Sequence, residues 1–364
     1  MSKLCRMARD ESKESSVKYL RSWLLPLIAL AIAFAIGALM MKLQGANPLQ
    51  AYESLFSSAF GSSAGISKTL GKATPLIISG LAVTICLRAG LFNIGVQGQL
   101  LAGALASAWA GYALQGLPLF IHLPIALFFG TFFGALTGII AGALKAYRGV
   151  HEVITTIMLN SLVLQLGEYL AYGPFKEPGQ QLARTPEVLS SAKIPDLFGM
   201  PVGFFIAITL AVVAWWVFKK TTSGFRLETV GRNKNAAWYA GISVKRSILI
   251  AMSVGGGLAG LGGAIETLGV VGRYEPAFNA GLGFDGITIA LLGRANPLAV
   301  IPGAILFGGM RGAGGSMQFA AGVSPDVIDL ILALVLFFVT APLIGKWIKT
   351  VRGNEAITTG GWGN

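Results

Sequence analysis

Between Trp23 and Met41 the chain carries no charged residue, and runs of this kind recur along its length. About 20 apolar residues are enough for a helix to cross the hydrocarbon core of a bilayer. Further apolar segments lie near 73–87, 89–113, 120–143, 152–172, 201–218, 248–270, 282–293, 297–310 and 326–345. Charged residues make up 12% of the chain, against about 25% in soluble domains. Lipid must therefore replace part of the water. The expected fold is an all-α polytopic membrane protein with about ten transmembrane helices, the segments at 282–293 and 297–310 being short or broken. Irregular backbone at that depth is tolerated only against protein or a water-filled cavity. The first run is longer than the roughly 7–15 residues of a signal-peptide core, so it reads as an uncleaved span.

The net charge is +12. In a multi-spanning chain this reflects orientation, because Lys and Arg collect in cytoplasmic loops. It does not call for a nucleic-acid partner. With both termini cytoplasmic, most of the 28 basic residues fall inside, the densest group between Lys219 and Arg246. The organisation read from this pattern is a cytoplasmic tail at 1–22, a transmembrane domain at 23–348 with a cytoplasmic loop at 219–247, and a second tail at 349–364. Outside, 47–61 places Leu49, Tyr52, Leu55, Phe56 and Phe60 at helical spacing. That pattern suits a helix lying on the membrane surface or one packed on the bundle. Gly173 to Met200 reads as an extended outer loop.

Polar groups inside apolar runs mark either interhelical hydrogen bonds or a solute pathway. The polar pathway candidates are Asn93, Gln97, Gln99, Asn160 and Asp285, joined by the aromatic Phe92 and Phe284, with Asp285 and Arg294 as a possible ion pair. Gly90 to Gln99 and Gly281 to Gly286 are polar, glycine-rich interruptions, one in each half, as expected of a midplane pathway. Gly130, Gly134, Gly138 and Gly142 form a stripe for close helix packing. Two cysteines and two histidines offer no disulfide framework or metal site. There is no Gly-x-x-x-x-Gly-Lys-Ser/Thr phosphate loop, His-Glu-x-x-His or Gly-x-Ser-x-Gly, so the chain is not expected to be an enzyme.

The loop Lys219 to Arg246 holds a short helix that Asn233 or Asn235 can cap and Gly241 can end. Small and aromatic side chains between them suit docking on a partner. This loop resembles the coupling loop of permease subunits of sugar, nucleoside and branched-chain amino acid ATP-binding-cassette importers. The resemblance rests on Gly224, Arg226, Val230, Gly231, Arg232, Asn233, Ala236, Ala237, Ala240, Gly241 and Ile242. Arg88 to Gln99, Thr155 to Asn160 and Phe284 to Pro297 are similar to three further family motifs. The family commonly has Glu where Gln97 stands. Phe92 to Gly95 with Phe284 to Gly286 looks most like the nucleoside branch.

The resemblance covers roughly 22–348 and implies a multi-pass subunit of the bacterial cell (inner) membrane. An ATPase subunit would dock on Gly224, Arg226, Arg232, Asn233, Asn235, Ala236, Ala237, Trp238, Tyr239, Gly241 and Ile242. ATP and Mg would bind to that partner, so this chain holds no cofactor or metal. A second permease, identical or related, and an extracellular or periplasmic solute-binding protein complete the implied assembly, with membrane lipid around it. Nucleosides are the implied solute, with monosaccharides or branched-chain amino acids as alternatives. From another class, an ion-coupled secondary transporter would use Glu266 and Asp285 to carry protons.

Overall fold

A computed structural model describes residues 28, 30–197, 199–276, 281–324 and 326–338. The two tails, residues 23–27 and 29 of the first span and the end of the last span lie outside the described residues. The helices are α1 (Leu30–Leu43), α2 (Pro48–Phe60), α3 (Ser63–Arg88), α4 (Val96–Ala113), α5 (Leu119–Arg148), α6 (Glu152–Tyr172), α7 (Val202–Lys220), α8 (Thr222–Arg232), α9 (Lys234–Tyr239), α10 (Val244–Glu266), α11 (Leu282–Leu292) and α12 (Val300–Ala321). Residues 326–338 are also helical. Two short strands, β1 (Asp196–Leu197) and β2 (Met200–Pro201), pair antiparallel. The chain divides into two compact units. The described parts of the first are 30–54 and 315–338, and the second is 55–314. Every candidate site residue lies in the second.

Among the described residues, five helices, α3, α5, α6, α7 and α10 with its continuation to Val271, are long and apolar enough to cross a membrane. They correspond to five of the ten expected segments. Three boundaries differ from the sequence reading, each for a physical reason. α3 begins at Ser63 rather than near residue 73, because the Ser62 hydroxyl accepts from the Gly65 N–H at 3.0 Å and caps it. Lys68 and Lys72, expected in a loop, are therefore helical, and Lys72 is neutralised by buried Glu266 at 2.7 Å. The expected span at 89–113 loses its start, because the chain is not helical from Leu91 to Asn93 and α4 begins at Val96. α12 runs on to Ala321 instead of stopping before Arg311. Arg311 stays within the helix because it pairs with Asp285. The anticipated Asp285–Arg294 pair does not form; Arg294 sits in the turn after α11 at φ 52°.

α10 is the hub, packing on α3, α4 and α5. Its glycines make this possible by facing three neighbours. Gly255 meets Cys86 and Ala82 of α3, Gly263 meets Leu100 and Ala104 of α4, and Gly256 and Gly260 meet Gly130, Gly134 and Gly138 of α5. Without a hydrophobic drive between helices in lipid, such backbone approach supplies the packing. At the cytoplasm-expected end, Cys86, Leu91, Ala141, Phe218, Leu227 and Met252 close a core that joins the loop helix α8 to the bundle. Expected at the surface or on the bundle, α2 buries Leu55 and leaves Leu49, Phe56 and Phe60 exposed.

The Gly173 to Met200 segment is tied down. Backbone N–H groups of Thr185, Val188, Leu189 and Ile194 donate to Tyr274, Gly272, Gly111 and Leu268 at 2.8–3.1 Å. Glu177 pairs with Arg184 at 2.6 Å and Arg273 at 3.1 Å, and Glu187 with Lys193 at 2.6 Å. Lys193 holds the Glu187 carboxyl below its ordinary value of 4.5. A carboxylate lowered in the folded state keeps its contribution above the ordinary value and loses it as pH falls through the folded value. Hydrogen exchange at 185–194, corrected for intrinsic rates, should therefore be constant from about pH 8 to 5 and rise only below the ordinary carboxylate value of 4.5. A rise centred near pH 6 would contradict this.

Candidate functional site

The candidate residues fall in two groups, each built around a break in helical structure. At the first, α3 ends at Arg88 and the chain turns through Gly90 at φ 71°. Asn93 Oδ1 accepts from the Gly95 N–H at 3.0 Å, and Asn93 Nδ2 donates to Gln99 Oε1 at 2.9 Å. Gln99 Nε2 donates back to Asn93 Oδ1 at 3.3 Å. Both side chains are only 1% exposed. From α6, Asn160 Nδ2 donates to the Ile94 carbonyl at 2.9 Å, and its Oδ1 accepts from the Gly98 N–H at 2.7 Å.

The logic is that of helix ends. The first N–H groups of a helix have no partner within it, and hydrocarbon offers none. Asn160 supplies one to α4. Gln97 supplies one to α11, its Oε1 accepting from the Gly283 N–H at 2.7 Å. Gly283 also lies against the Gln97 backbone with no room for a Cβ, and Gly286 lies against Ser79. The two interruptions expected from sequence are therefore in direct contact. A neutral amide suffices for this bond, so the Glu common in the family is not required at Gln97. Phe92 is half-buried and packs against a core cluster that includes Val96 and Ile287. Phe284, in the first turn of α11, is 46% exposed, while its neighbour Asp285 is buried and faces Arg311.

Removing Asn160 takes both a donor and an acceptor from backbone at the break. Leaving such groups unpaired costs about 1–3 kcal/mol. Asn160→Ala should lower the thermal midpoint of the detergent-purified protein by several degrees; an unchanged midpoint would show that the break does not depend on it.

The second group is the loop joining α7 to α10. Thr221 caps α8, accepting from the Gly224 N–H at 3.2 Å, and Gly224 lies tight on Val217 and Phe218. Asn233 ends α8 and caps α9, accepting from the Ala236 N–H at 3.0 Å. Of the two expected capping residues it is thus Asn233. Gly241 adopts φ 76°, and the Ile242 N–H closes on the Ala237 carbonyl at 2.9 Å. Ala237 is buried within its own chain. Arg226, Asn235 and Ala236 face outward. Arg232 pairs with Glu228 at 2.8 Å. Trp238 and Tyr239 are 66% and 83% exposed, with ring centroids 5.0 Å apart.

Sequence reasoning missed three participants: Arg88, Gly283 and Arg311. Each stands inside or beside a quoted motif or apolar run, and the signal available was an isolated charge or glycine where neither is needed locally. Among the described residues no cluster of three or more His, Cys, Asp or Glu could hold a metal.

Residues 65–357 match the family described as branched-chain amino acid transport system / permease component. The guanosine ABC transporter permease NupP of Bacillus subtilis is 39% identical, covering 89% of this chain and 95% of that protein. The nucleoside ABC transporter permease NupB of Lactococcus lactis is 35% identical, covering 92% and 96%. The glucose ABC transporter permease TsgB13 of Haloferax volcanii is 33% identical, covering 91% and 92%.

Proposed function

Because the chain belongs to the family of branched-chain amino acid transport system permease components, we propose that it forms the solute pathway of an ATP-driven nucleoside importer of the bacterial cell membrane. Both termini face the cytoplasm. A second permease, identical or related, completes the pathway, and an external solute-binding protein delivers the solute. Separate ATPase subunits dock on α9, bind ATP with Mg and drive the change in access.

The observation that carries this reading is α9 itself. A helix capped at both ends presents two adjacent, exposed aromatic side chains at the edge of a basic loop. Trp and Tyr dominate the energetics of protein interfaces. The nucleoside assignment is supported by NupP and NupB and by the exposed ring of Phe284. Stacking a base on such a ring contributes about 1–3 kcal/mol. Phe92, Asn93, Gln97, Gln99, Asn160 and Asp285 would shape the wall around it.

Uptake of radiolabelled guanosine by cells carrying the full transporter tests the reading. Unlabelled guanosine and uridine should compete, and glucose and leucine should not. Uptake should stop on ATP depletion and survive a protonophore when ATP is maintained. Uptake that outlasts ATP and collapses with the protonophore would instead identify an ion-coupled carrier; competition by glucose alone would make it a sugar permease.

A further inference from the structure

We propose that Arg88 is a positioning residue that transmits movement of the docking loop to the turn that ends the short helix α11. The proposal rests on the importer reading above and adds to it a route within this chain.

The loop meets the end of α3 backbone to backbone. Gly231, in the last turn of α8, lies so close to the end of α3 that a Cβ on it would overlap the Arg88 carbonyl and lie 2.8 Å from Gly90 N. Conversely, a Cβ on Gly90 would lie 2.9 Å from Gly231 Cα. Backbone against backbone leaves no soft side chain to absorb a displacement of α8.

Arg88 spreads from this junction to three other elements. Its guanidinium lies 4.8 Å from the centroid of the Phe218 ring of α7, and Nη1 is 4.0 Å from Glu228 Oε2 of α8. Its Nε donates to the Ala295 carbonyl at 2.8 Å. Ala295 and Arg294 form the turn that ends α11, both at positive φ, 53° and 52°. Non-glycine residues enter that region only when their surroundings hold them there, and the Arg88 bond is one such restraint.

Nine residues along the same segment, Gln97 grips the other end of α11 through the Gly283 N–H. The stretch from Arg88 to Gln97 therefore contacts the docking loop through Arg88 and Gly90, and α11 at both termini. If α8 moves, α11 is carried with it. Energetic coupling through such a chain of packed contacts needs a measured coupling to support it, which the geometry makes accessible. Lysine cannot replace Arg88, because an ammonium has neither the planar face for the ring nor the fixed fork for simultaneous bonds.

The test uses the complete transporter in proteoliposomes, with radiolabelled guanosine as probe and guanosine moved per ATP hydrolysed as readout. Arg88→Ala should retain its ATPase on purification and hydrolyse ATP within about twofold of wild type, while guanosine moved per ATP falls about tenfold. A parallel fall of uptake and hydrolysis, or no change in either, overturns the proposal. Should Arg88→Ala fail to accumulate, Arg88→Lys is read by the same ratio, with a fall of about threefold or more expected and an unchanged ratio contradicting it. A second measurement does not depend on the solute. Nucleotide addition to the wild-type complex should alter hydrogen exchange at 291–296, and Arg88→Ala should abolish that response while leaving the response at 234–239. If 291–296 still responds in Arg88→Ala, or never responds in wild type, the relay is wrong even where import itself is established. Absence of guanosine uptake in wild type with the exchange response intact would fault only the solute assignment.

Discussion

A Gly134→Val chain is expected not to accumulate as folded protein in the membrane. Gly134 lies on α5 where it crosses α10, and a Cβ there would lie 2.6 Å from Gly260 Cα and 2.8 Å from Gly260 N, with the Gly256 carbonyl closer still. All three are backbone atoms, so no rotamer change relieves the overlap. The same seam continues one turn away on each side, at Gly130 and Gly138. The helices would have to separate along its whole length. Overpacking an ordinary core costs about 1–3 kcal/mol. Here the lost contacts include those that hold the hub helix to its neighbours, so the cost should exceed about 3 kcal/mol and approach the whole stability of a marginal fold. Gly315→Ala is the control, since among the described residues an added Cβ there meets nothing within 4 Å. Fluorescence-detected size exclusion of tagged protein in mild detergent should show a normal symmetric peak for the control and aggregate or no signal for Gly134→Val. A normal peak for Gly134→Val would mean that the α5–α10 seam is not close-packed.

The second large effect concerns docking. Trp238→Ala with Tyr239→Ala removes the two most exposed aromatic groups of α9 without touching its caps at Asn233 and Gly241. The helix should therefore persist and the chain should fold. Truncating an aromatic anchor at an interface costs roughly 2–4 kcal/mol, which corresponds to a 30-fold or greater loss of affinity for the ATPase. Nucleoside uptake should fall to background while the amount of permease in the membrane is unchanged. Ala237 makes a poor probe of the same contact. It is buried within its own chain, so Ala237→Arg would damage the loop before it reached any partner.

Much of this architecture was legible in the sequence because it is written in local terms. Apolar runs gave α5, α6 and α7 nearly to their ends, and an Asn and a Gly bracketed α9 as capping residues do. The glycine stripe on α5 found its counterpart in the glycines of α10. What escaped was chemistry that joins distant positions. Lys72 and Arg311 read as loop charges because a lone cation in an apolar run is costly. Their partners, Glu266 and Asp285, make them affordable within helices. The bond from Gln97 to Gly283 spans 186 positions, and no periodicity encodes it. Two weak interruptions, one in each half, were visible; that they meet, and that amide side chains from elsewhere satisfy both exposed helix starts, follows only from the packed chain. For the same reason Arg88 read as one more inward-facing charge, although it touches α7, α8 and the turn after α11.

Import requires a separate motor gripping α9, and affinity purification of the tagged chain from its native membrane measures that grip directly. The wild-type chain should bring with it an ATP-binding cassette ATPase in near-stoichiometric amount, and the Trp238→Ala, Tyr239→Ala chain should come without it. Recovery of a chain with no ATPase that nonetheless moves guanosine into nucleotide-free liposomes would contradict the account.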